Sequence, residues 1–332
     1  MRSVFDPRQL EHAPATELHN GAFVPHAETP ERARGVLAAI GDTVRPTDHG
    51  GGPLLAVHTP AYIAFLKTAF DEWRAAGRPG EALPYTFPVV RRRALDLTRI
   101  DARMGQYSYD SATPIGAGTW EASYWNAQVA LSALDDVLAD EDAFALCRPP
   151  GHHAGADYCG GYCYLNNAAI AAAAARDAGR RVAVLDIDYH HGNGTQDIFY
   201  GSGEVFFASI HADPRTDYPF FWGHADETGE NAGEGTTLNQ PLPQGTALRE
   251  YEPALGTALE AIATFGADLL VVSFGADTFV GDPISGFALE TSDYAVLARR
   301  IALAGLPTLI VMEGGYAVSA LGDNVASFLS GF

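Results

Sequence analysis

The sequence contains few cysteines and no long apolar run, and both scarcities narrow the class of protein. Cys147, Cys159 and Cys163 are the only cysteines in 332 residues, which argues against a disulfide framework and favours a reducing compartment. No stretch reaches the roughly 18 apolar residues of a membrane helix. The first residues, MRSVFDPRQLEHAP, lack the apolar core of a signal peptide. We therefore expect a cytoplasmic protein without a membrane partner.

Basic residues are also scarce. Lys and Arg number 21 against 41 Asp and Glu, which gives a formal net charge of −20. Such a chain would repel phosphates, so nucleic acid is not an expected partner. An acidic surface concentrates cationic ligands, although solubility alone also accounts for the charge. The composition is thus compatible with a small cationic substrate without requiring one.

Short apolar runs alternate with helical patterns over the C-terminal two thirds of the chain. Continuous apolar strands separated by helices are typical of a parallel sheet that is covered on both faces. We predict an α/β fold, a single domain over residues 1–332 with a central, mostly parallel sheet flanked by helices. The predicted strands are residues 143–147, 182–187, 204–211, 268–274 and 307–312, and the predicted helices are residues 165–178, 251–265 and 294–304.

Polar residues cluster where these strands end, which is where open parallel sheets place their active sites. Asp186, Asp188 and His190 occupy alternate positions, so an extended backbone projects them to one side. Asp277 follows another strand and supplies a further oxygen ligand. Three protein ligands with an open position are typical of catalytic zinc, and manganese or iron would also fit this donor set. The alternative is a charged loop of mutually hydrogen-bonded Asp and His.

Two further strand ends carry groups suited to acid–base chemistry. His152 and His153 follow a rigid Pro-Pro-Gly turn, and a neutral imidazole can take a proton from water and return it to a leaving amine. Tyr316 ends the run Glu-Gly-Gly-Tyr, where its hydroxyl can donate to a developing oxyanion. Each signal is weak alone, but their convergence on one edge of the sheet favours a catalytic site.

Together these parts resemble the histone deacetylase and acetylpolyamine amidohydrolase family. The matching segments, in the family's order, are RPPGHH, GGYCYLNNAAIA, VLDIDYHHGNGTQDIFY, FFASIH, FGADTF and MEGGY, preceded by HAETPER, where Ala27 departs from the family's proline. The segments ELHNG, GTWE, DPISG and ETGENAGEG most resemble bacterial acetylpolyamine amidohydrolases. The resemblance implies an arginase–deacetylase fold. It also implies a zinc-dependent hydrolase that removes acetyl groups from acetylated polyamines or short diamines.

The resemblance assigns roles to residues by motif. The implied ligands of one zinc ion per subunit are Asp188, His190 and Asp277. The implied catalytic groups are His153 as general base and then acid, His152 as its electrostatic partner, Asp186 as the residue that orients His152, and Tyr316 as a donor to the acetyl carbonyl. Asn193 stands where many histone deacetylases carry Asp, which predicts a weaker polarising partner for His153.

Structural potassium and a substrate tunnel are implied as well. The two potassium sites would use Asp186, Ser209 and Ile210 in one case and Phe199, Ser202 and Val205 in the other. The tunnel would be lined by Gly161 and Tyr162, with Tyr218 or Phe221 opposite.

A polar insertion around residues 90–118 is implied to form a homodimer interface and to narrow the tunnel. Ala112 occupies the position at which the amidohydrolases carry a polyamine-contacting Glu, so Asp101 is the predicted acid for a distal ammonium. The departure favours acetylcadaverine or acetylputrescine over acetylspermidine and acetylspermine. A solvated acidic loop without a substrate role remains an equal alternative.

The sequence leaves three other functions open. The first is an acetyl-lysine protein deacetylase, which would share the site. The second is a manganese ureohydrolase of the arginase type, although such enzymes place more carboxylates around two metal ions. The third is a non-catalytic module that binds acetylated amines, although such a module would not need every catalytic position filled.

Overall fold

Nine strands and ten α-helices are found in the computed structural model, which describes residues 1–88 and 95–332. The strands are β1 Arg2–Val4, β2 Thr16–His19, β3 Ala22–Pro25, β4 Ala143–Ala145, β5 Val182–Asp186, β6 Val205–Ala212, β7 Thr237–Leu242, β8 Leu269–Phe274 and β9 Thr308–Met312. The helices are α1 Pro30–Ile40, α2 Gly52–Leu55, α3 Pro60–Ala75, α4 Ile100–Gln106, α5 Thr119–Leu138, α6 Asn167–Asp177, α7 Asn193–Phe199, α8 Leu248–Phe265, α9 Thr291–Ala302 and α10 Val318–Leu329.

The central sheet is parallel throughout the described residues. Its order is β1-β4-β9-β8-β5-β6-β7, while β2 and β3 form a separate antiparallel hairpin. Every residue of β5, β8 and β9 is buried, so both faces of the sheet are covered. Helix α6 packs on β5 and β8, and α8 packs on β6 and β7. The predicted α/β fold with a parallel central sheet is confirmed.

The register brings the strand ends to one edge. Asp186, the last residue of β5, pairs with Ser209 of β6 and Ser273 of β8. Phe274 at the end of β8 pairs with Met312 at the end of β9. Because parallel strands point the same way, the loops after β4, β5, β8 and β9 leave from the same side of the sheet. The residues with candidate chemistry lie in these loops.

The predicted elements differ from the observed ones mainly at their ends. The strand predicted over residues 143–147 ends at Ala145. The Ala-rich helix begins at Asn167, because the Asn166 side chain caps it by accepting the Ala169 N–H at 2.9 Å. The helix predicted from residue 251 starts at Leu248 and contains Pro253, which removes one N–H from its hydrogen-bond ladder.

The predicted insertion around residues 90–118 is described only in part. Residues 90–94 lie outside the described residues, and α4 occupies part of the remainder. A role of this segment in a homodimer stays a prediction. Among the described helices, none combines the length and apolarity needed to cross a bilayer.

Candidate metal and active site

Three side chains at the sheet edge are close enough to share one cation. The ligand atoms of Asp188, His190 and Asp277 all lie within 4.8 Å of one another. Nδ1 of His190 is 3.1 Å from Oδ2 of Asp277 and 3.4 Å from Oδ1 of Asp188. Ligands about 2.0–2.1 Å from a tetrahedral zinc ion lie roughly 3.3 Å apart, so these separations fit a single ion.

Glycines make room for the two carboxylates. A Cβ atom on Gly275 would lie 1.9 Å from Oδ2 of Asp188, and one on Gly314 would lie 2.3 Å from Oδ2 of Asp277. The Gly314 N–H also donates to Oδ2 of Asp188 at 2.8 Å. The glycines of the FGAD and MEGGY segments are therefore required by close packing against these two carboxylates.

The electrostatics of the cluster favour a divalent cation. Burial and the charge of Asp188 raise the pKa of Asp277 to about 7. Burial opposes the charged form of His190, but hydrogen bonds to Asp188 and Asp277 raise its pKa to about 10. The same carboxylates that attract a proton here also attract a metal ion. Two carboxylates and one imidazole fit zinc with an open position, and they also fit manganese or iron.

The histidine pair is fixed by hydrogen bonds from two directions. Oε2 of Glu313 accepts the N–H groups of Gly151 at 2.7 Å and His152 at 3.2 Å. Nδ1 of His152 lies 3.0 Å from Oδ2 of Asp186, whereas Nδ1 of His153 lies 2.7 Å from the amide oxygen of Asn193. The two neighbouring rings thus have partners of different charge.

Those partners separate the two histidines in basicity. Burial opposes the charged form of His152, but the charges of Asp188 and Asp186 raise its pKa to about 10. Burial and the nearby His152 lower the pKa of His153 well below its usual value. A neutral His153 can act as a base, and a charged His152 stabilises negative charge close by.

Tyr316 is held in place as a hydrogen-bond donor. One carboxylate oxygen of Asp282 accepts its backbone N–H at 2.6 Å. The Arg32 guanidinium lies 4.7 Å from the centre of the phenol ring. Although Arg32 opposes the effect, burial raises the pKa of Tyr316 well above its usual value. The hydroxyl therefore stays protonated and able to donate.

A cavity of about 510 Å³ lies beside the metal cluster, the histidine pair and Tyr316. His153, His190 and Tyr316 are among the residues that line it. A larger depression of about 810 Å³ lies beside Arg249 and Arg300, but it is open and none of the catalytic groups lines it. The smaller cavity is the candidate substrate site because His153, His190 and Tyr316 line it.

Three of the four residues predicted to line the tunnel do line the cavity. The cavity lining includes Gly161, Tyr162 and Tyr218. Phe221 is 78% exposed and does not line the cavity, and Phe220 takes its place. The cis peptide bond before Pro219 precedes this pair, and Phe220 adopts a φ of 62°, a turn that sequence periodicity does not predict.

Asp101 does not reach the cavity either. It lies on α4, is 5% exposed, and binds Arg78 at 2.6 Å and Arg99 at 2.8 Å. These two arginines neutralise the carboxylate. In the structure Asp101 therefore does not occupy the position predicted for a contact with a substrate ammonium. Asp110 and Glu17 are the carboxylates that line the cavity instead.

These two carboxylates accept hydrogen bonds from other residues that line the cavity. Asp110 accepts the Gly161 N–H at 2.6 Å and the Tyr218 hydroxyl at 2.9 Å. Glu17 accepts the Tyr162 hydroxyl at 2.9 Å. In the sequence, Asp110 belongs to the polar insertion around residues 90–118, and Glu17 belongs to the segment ELHNG. Nothing in their local pattern indicates that both would line one cavity.

Asp186, which is predicted to bind the first potassium ion, ends β5 and pairs with Ser209 of β6. Ser209 and Ile210 are buried in β6, and the Ser209 hydroxyl lies 2.8 Å from Nδ1 of His211. Phe199 ends α7 and accepts the Ser202 N–H at 2.8 Å, and Val205 begins β6. The structure places each set close in the fold, and potassium binding by either set stays a prediction.

Comparison with known proteins gives a consistent result. A model of the histone deacetylase domain matches residues 26–332. Acetylpolyamine amidohydrolase 1 of Pseudomonas aeruginosa is 50% identical, over 100% of this chain and 99% of the relative. Acetylpolyamine amidohydrolase of Mycoplana ramosa is 48% identical, over 100% and 99%. The crystal structure of acetylpolyamine aminohydrolase from Burkholderia pseudomallei has a TM-score of 0.96 at 41% identity, covering 100% of this chain and 98% of that one.

Proposed function

The chain belongs to the histone deacetylase family and is a hydrolase that acts on amides, and on this premise we propose a zinc-dependent deacetylase of acetylated polyamines or short diamines. Its products would be acetate and the free amine. One observation carries the proposal: His153, His190 and Tyr316 line the same cavity as the carboxylates Asp110 and Glu17. Groups for amide hydrolysis and for cation recognition thus occur together.

One zinc ion per chain would be held by Asp188, His190 and Asp277, whose separations and donor types support a single tetrahedral site. When bound, zinc supplies the Lewis acidity that activates water and polarises an acetyl carbonyl. Metal analysis of protein purified without added metal distinguishes zinc from manganese or iron.

The chain's own residues move the proton. His153 donates from Nδ1 to Asn193, so its other ring nitrogen is free to take a proton from the attacking water. His153 then returns this proton to the amine nitrogen as the carbon–nitrogen bond breaks. The Tyr316 hydroxyl donates to the carbonyl oxygen as negative charge develops on it. His152, paired with Asp186, keeps positive charge beside these groups.

The cavity carboxylates support a cationic substrate. A distal ammonium beside Asp110 or Glu17 would form a charge-assisted contact away from bulk water. The volume of about 510 Å³ lies within the range of small-molecule sites. Because Ala112 lines this cavity, the ranking of acetylputrescine and acetylcadaverine above acetylspermidine and acetylspermine is part of the proposal.

A substrate panel with the zinc-reconstituted enzyme tests this function. We expect kcat/KM to be highest for acetylputrescine and acetylcadaverine, lower for the acetylated spermidine and spermine, and lowest for an acetyl-lysine peptide. Preference for the peptide would favour the protein deacetylase alternative. Absence of turnover with all of them, in protein of full zinc content, would leave the binding module and the ureohydrolase. Hydrolysis of a guanidino substrate would favour the ureohydrolase.

Further parts of the proposal concern ions, assembly and location. We infer two structural potassium ions, a homodimer formed through the insertion around residues 90–118, and a cytoplasmic location. A higher Tm in potassium than in equimolar sodium would support the first. Analytical ultracentrifugation over a range of concentrations tests the second, and cell fractionation tests the third.

A further inference from the structure

Three buried side chains converge behind the wall of the substrate cavity. His12, His26 and Glu28 are at most 3% exposed. Within the described parts of the chain, Nε2 of His12, Nε2 of His26 and Oε2 of Glu28 have no hydrogen-bond partner. The three residues can present ligand atoms that lie within 4.8 Å of one another. Unpartnered buried polar atoms are rare because burial costs them their bonds to water, so three in one place indicate a missing partner.

The outer contact of His26 fixes which of its nitrogens faces the cluster. Its Nδ1 lies 2.9 Å from a carboxylate oxygen of Glu17. A carboxylate can only accept, so Nδ1 carries the hydrogen and Nε2 of the neutral ring carries a lone pair. A histidine that donates its outer N–H to a carboxylate is the usual arrangement of a metal-bound imidazole.

His12 has a comparable outer contact. Its Nδ1 lies 3.0 Å from the Thr119 hydroxyl oxygen, which also accepts the Gly116 N–H at 2.8 Å. A hydroxyl oxygen can accept two hydrogen bonds. When Nδ1 of His12 is the second donor, its Nε2 presents a lone pair to the cluster as well.

Glu28 supplies the negative charge. Its Oε1 lies 2.8 Å from Nη1 of Arg32 and 2.8 Å from Nε of Arg148. These contacts occupy Oε1 and leave Oε2 facing Nε2 of His12, 3.8 Å away. Two ligands of one zinc ion lie roughly 3.3 Å apart, so a small contraction suffices. The two guanidinium groups weaken the attraction for a cation, which makes this a weaker site than the one at Asp188.

We propose that His12, His26 and Glu28 form a second, structural site for a divalent transition metal of the zinc class. Two imidazoles and a carboxylate are ligands that such ions prefer. The ion would tie the segment around His12 to the start of α1. It would also support the cavity wall, because the Glu17 carboxylate that holds His26 accepts the Tyr162 hydroxyl. The site shares no ligand with the catalytic cluster.

Metal counting on the whole chain tests the proposal. After dialysis in a zinc buffer with a weak chelator, we expect about two zinc ions per chain in the native protein. A double variant, Asp188→Ala with His190→Ala, should retain about one. Retention of none would overturn the proposal and assign the space to a bridging water. A native protein with one ion that survives the double substitution would instead contradict the proposed catalytic metal.

A further substitution assigns the ligands. His26→Gln in the double variant should remove the remaining zinc and, after cobalt exchange, the visible absorption of four-coordinate cobalt. His58→Gln is the matched control. His58 is also buried, but its ring nitrogens have partners in the Gly155 carbonyl at 2.9 Å and the Asn166 N–H at 3.0 Å. Zinc that is retained by the His26 variant, or lost equally from the control, would contradict the assignment.

Discussion

Nδ1 of His153 lies 2.7 Å from the amide oxygen of Asn193, while the adjacent His152 has the carboxylate of Asp186 as its partner. A neutral partner does not stabilise an imidazolium as a carboxylate does. Burial and the neighbouring His152 keep the pKa of His153 well below its usual value, and the hydrogen bond to the neutral Asn193 opposes them only in part. His153, the proposed general base, is therefore neutral at neutral pH.

Replacement of Asn193 by Asp should raise the pKa of His153. The new carboxylate would stabilise the charged form of His153 and raise its pKa by about one to three units. The neutral base would then be lost at higher pH, so the acidic limb of the kcat/KM profile moves upward. Steady-state rates across the pH range measure the shift. If the acidic limb of the profile does not move in a variant of full zinc content, Asn193 does not control the pKa of His153.

Tyr316→Phe should lower kcat by roughly 10²–10³, since one donor to a developing oxyanion is lost, while zinc content stays unchanged. Tyr251→Phe is a suitable control, because Tyr251 is likewise a buried tyrosine and its hydroxyl has no partner among the described residues. It should keep native turnover. Equal activity of the two variants would remove the Tyr316 hydroxyl from the reaction.

The cavity carboxylate should control selectivity for charge. Asp110→Asn removes an anion from the cavity lining, so we expect KM for acetylputrescine to rise by at least about tenfold, as for the loss of a charge-assisted contact. KM for an uncharged acetamide of similar length should change little. Asp101→Asn is the comparison, since Asp101 is neutralised by Arg78 and Arg99 outside the cavity. If that variant rather than Asp110→Asn altered the KM ratio, the sequence-based assignment of Asp101 would be restored.

The sequence predicts the fold and the catalytic cluster for a physical reason. Asp186, Asp188 and His190 follow one strand, and the position of a strand in a parallel sheet fixes where its end lies. Apolar runs define the strands, so the convergence of their polar ends can be predicted without knowledge of any loop. Asp277 is placed in the same way by β8.

Loops are less predictable because their packing depends on contacts far along the chain. Phe220 rather than Phe221 enters the cavity because of a local turn. Asp101 is turned away by arginines, one of which, Arg78, is 23 residues distant. Glu17 joins the site from the β2–β3 hairpin, and only tertiary structure brings this hairpin to Tyr162. No local pattern carries that information.

Gly314→Ala should weaken binding of the proposed zinc ion without unfolding the protein. The added Cβ would lie 2.3 Å from Oδ2 of Asp277 and 2.6 Å from Oδ2 of Asp188, so both carboxylates must move. Ligands displaced by even a fraction of an ångström bind poorly, and we expect zinc affinity to fall at least about tenfold, the range seen when supporting contacts are lost. Gly201→Ala, where a Cβ meets nothing within 4 Å, is the matched control. Competition with a fluorescent chelator measures both affinities, and similar values for the two variants would show that the carboxylates do not hold the ion.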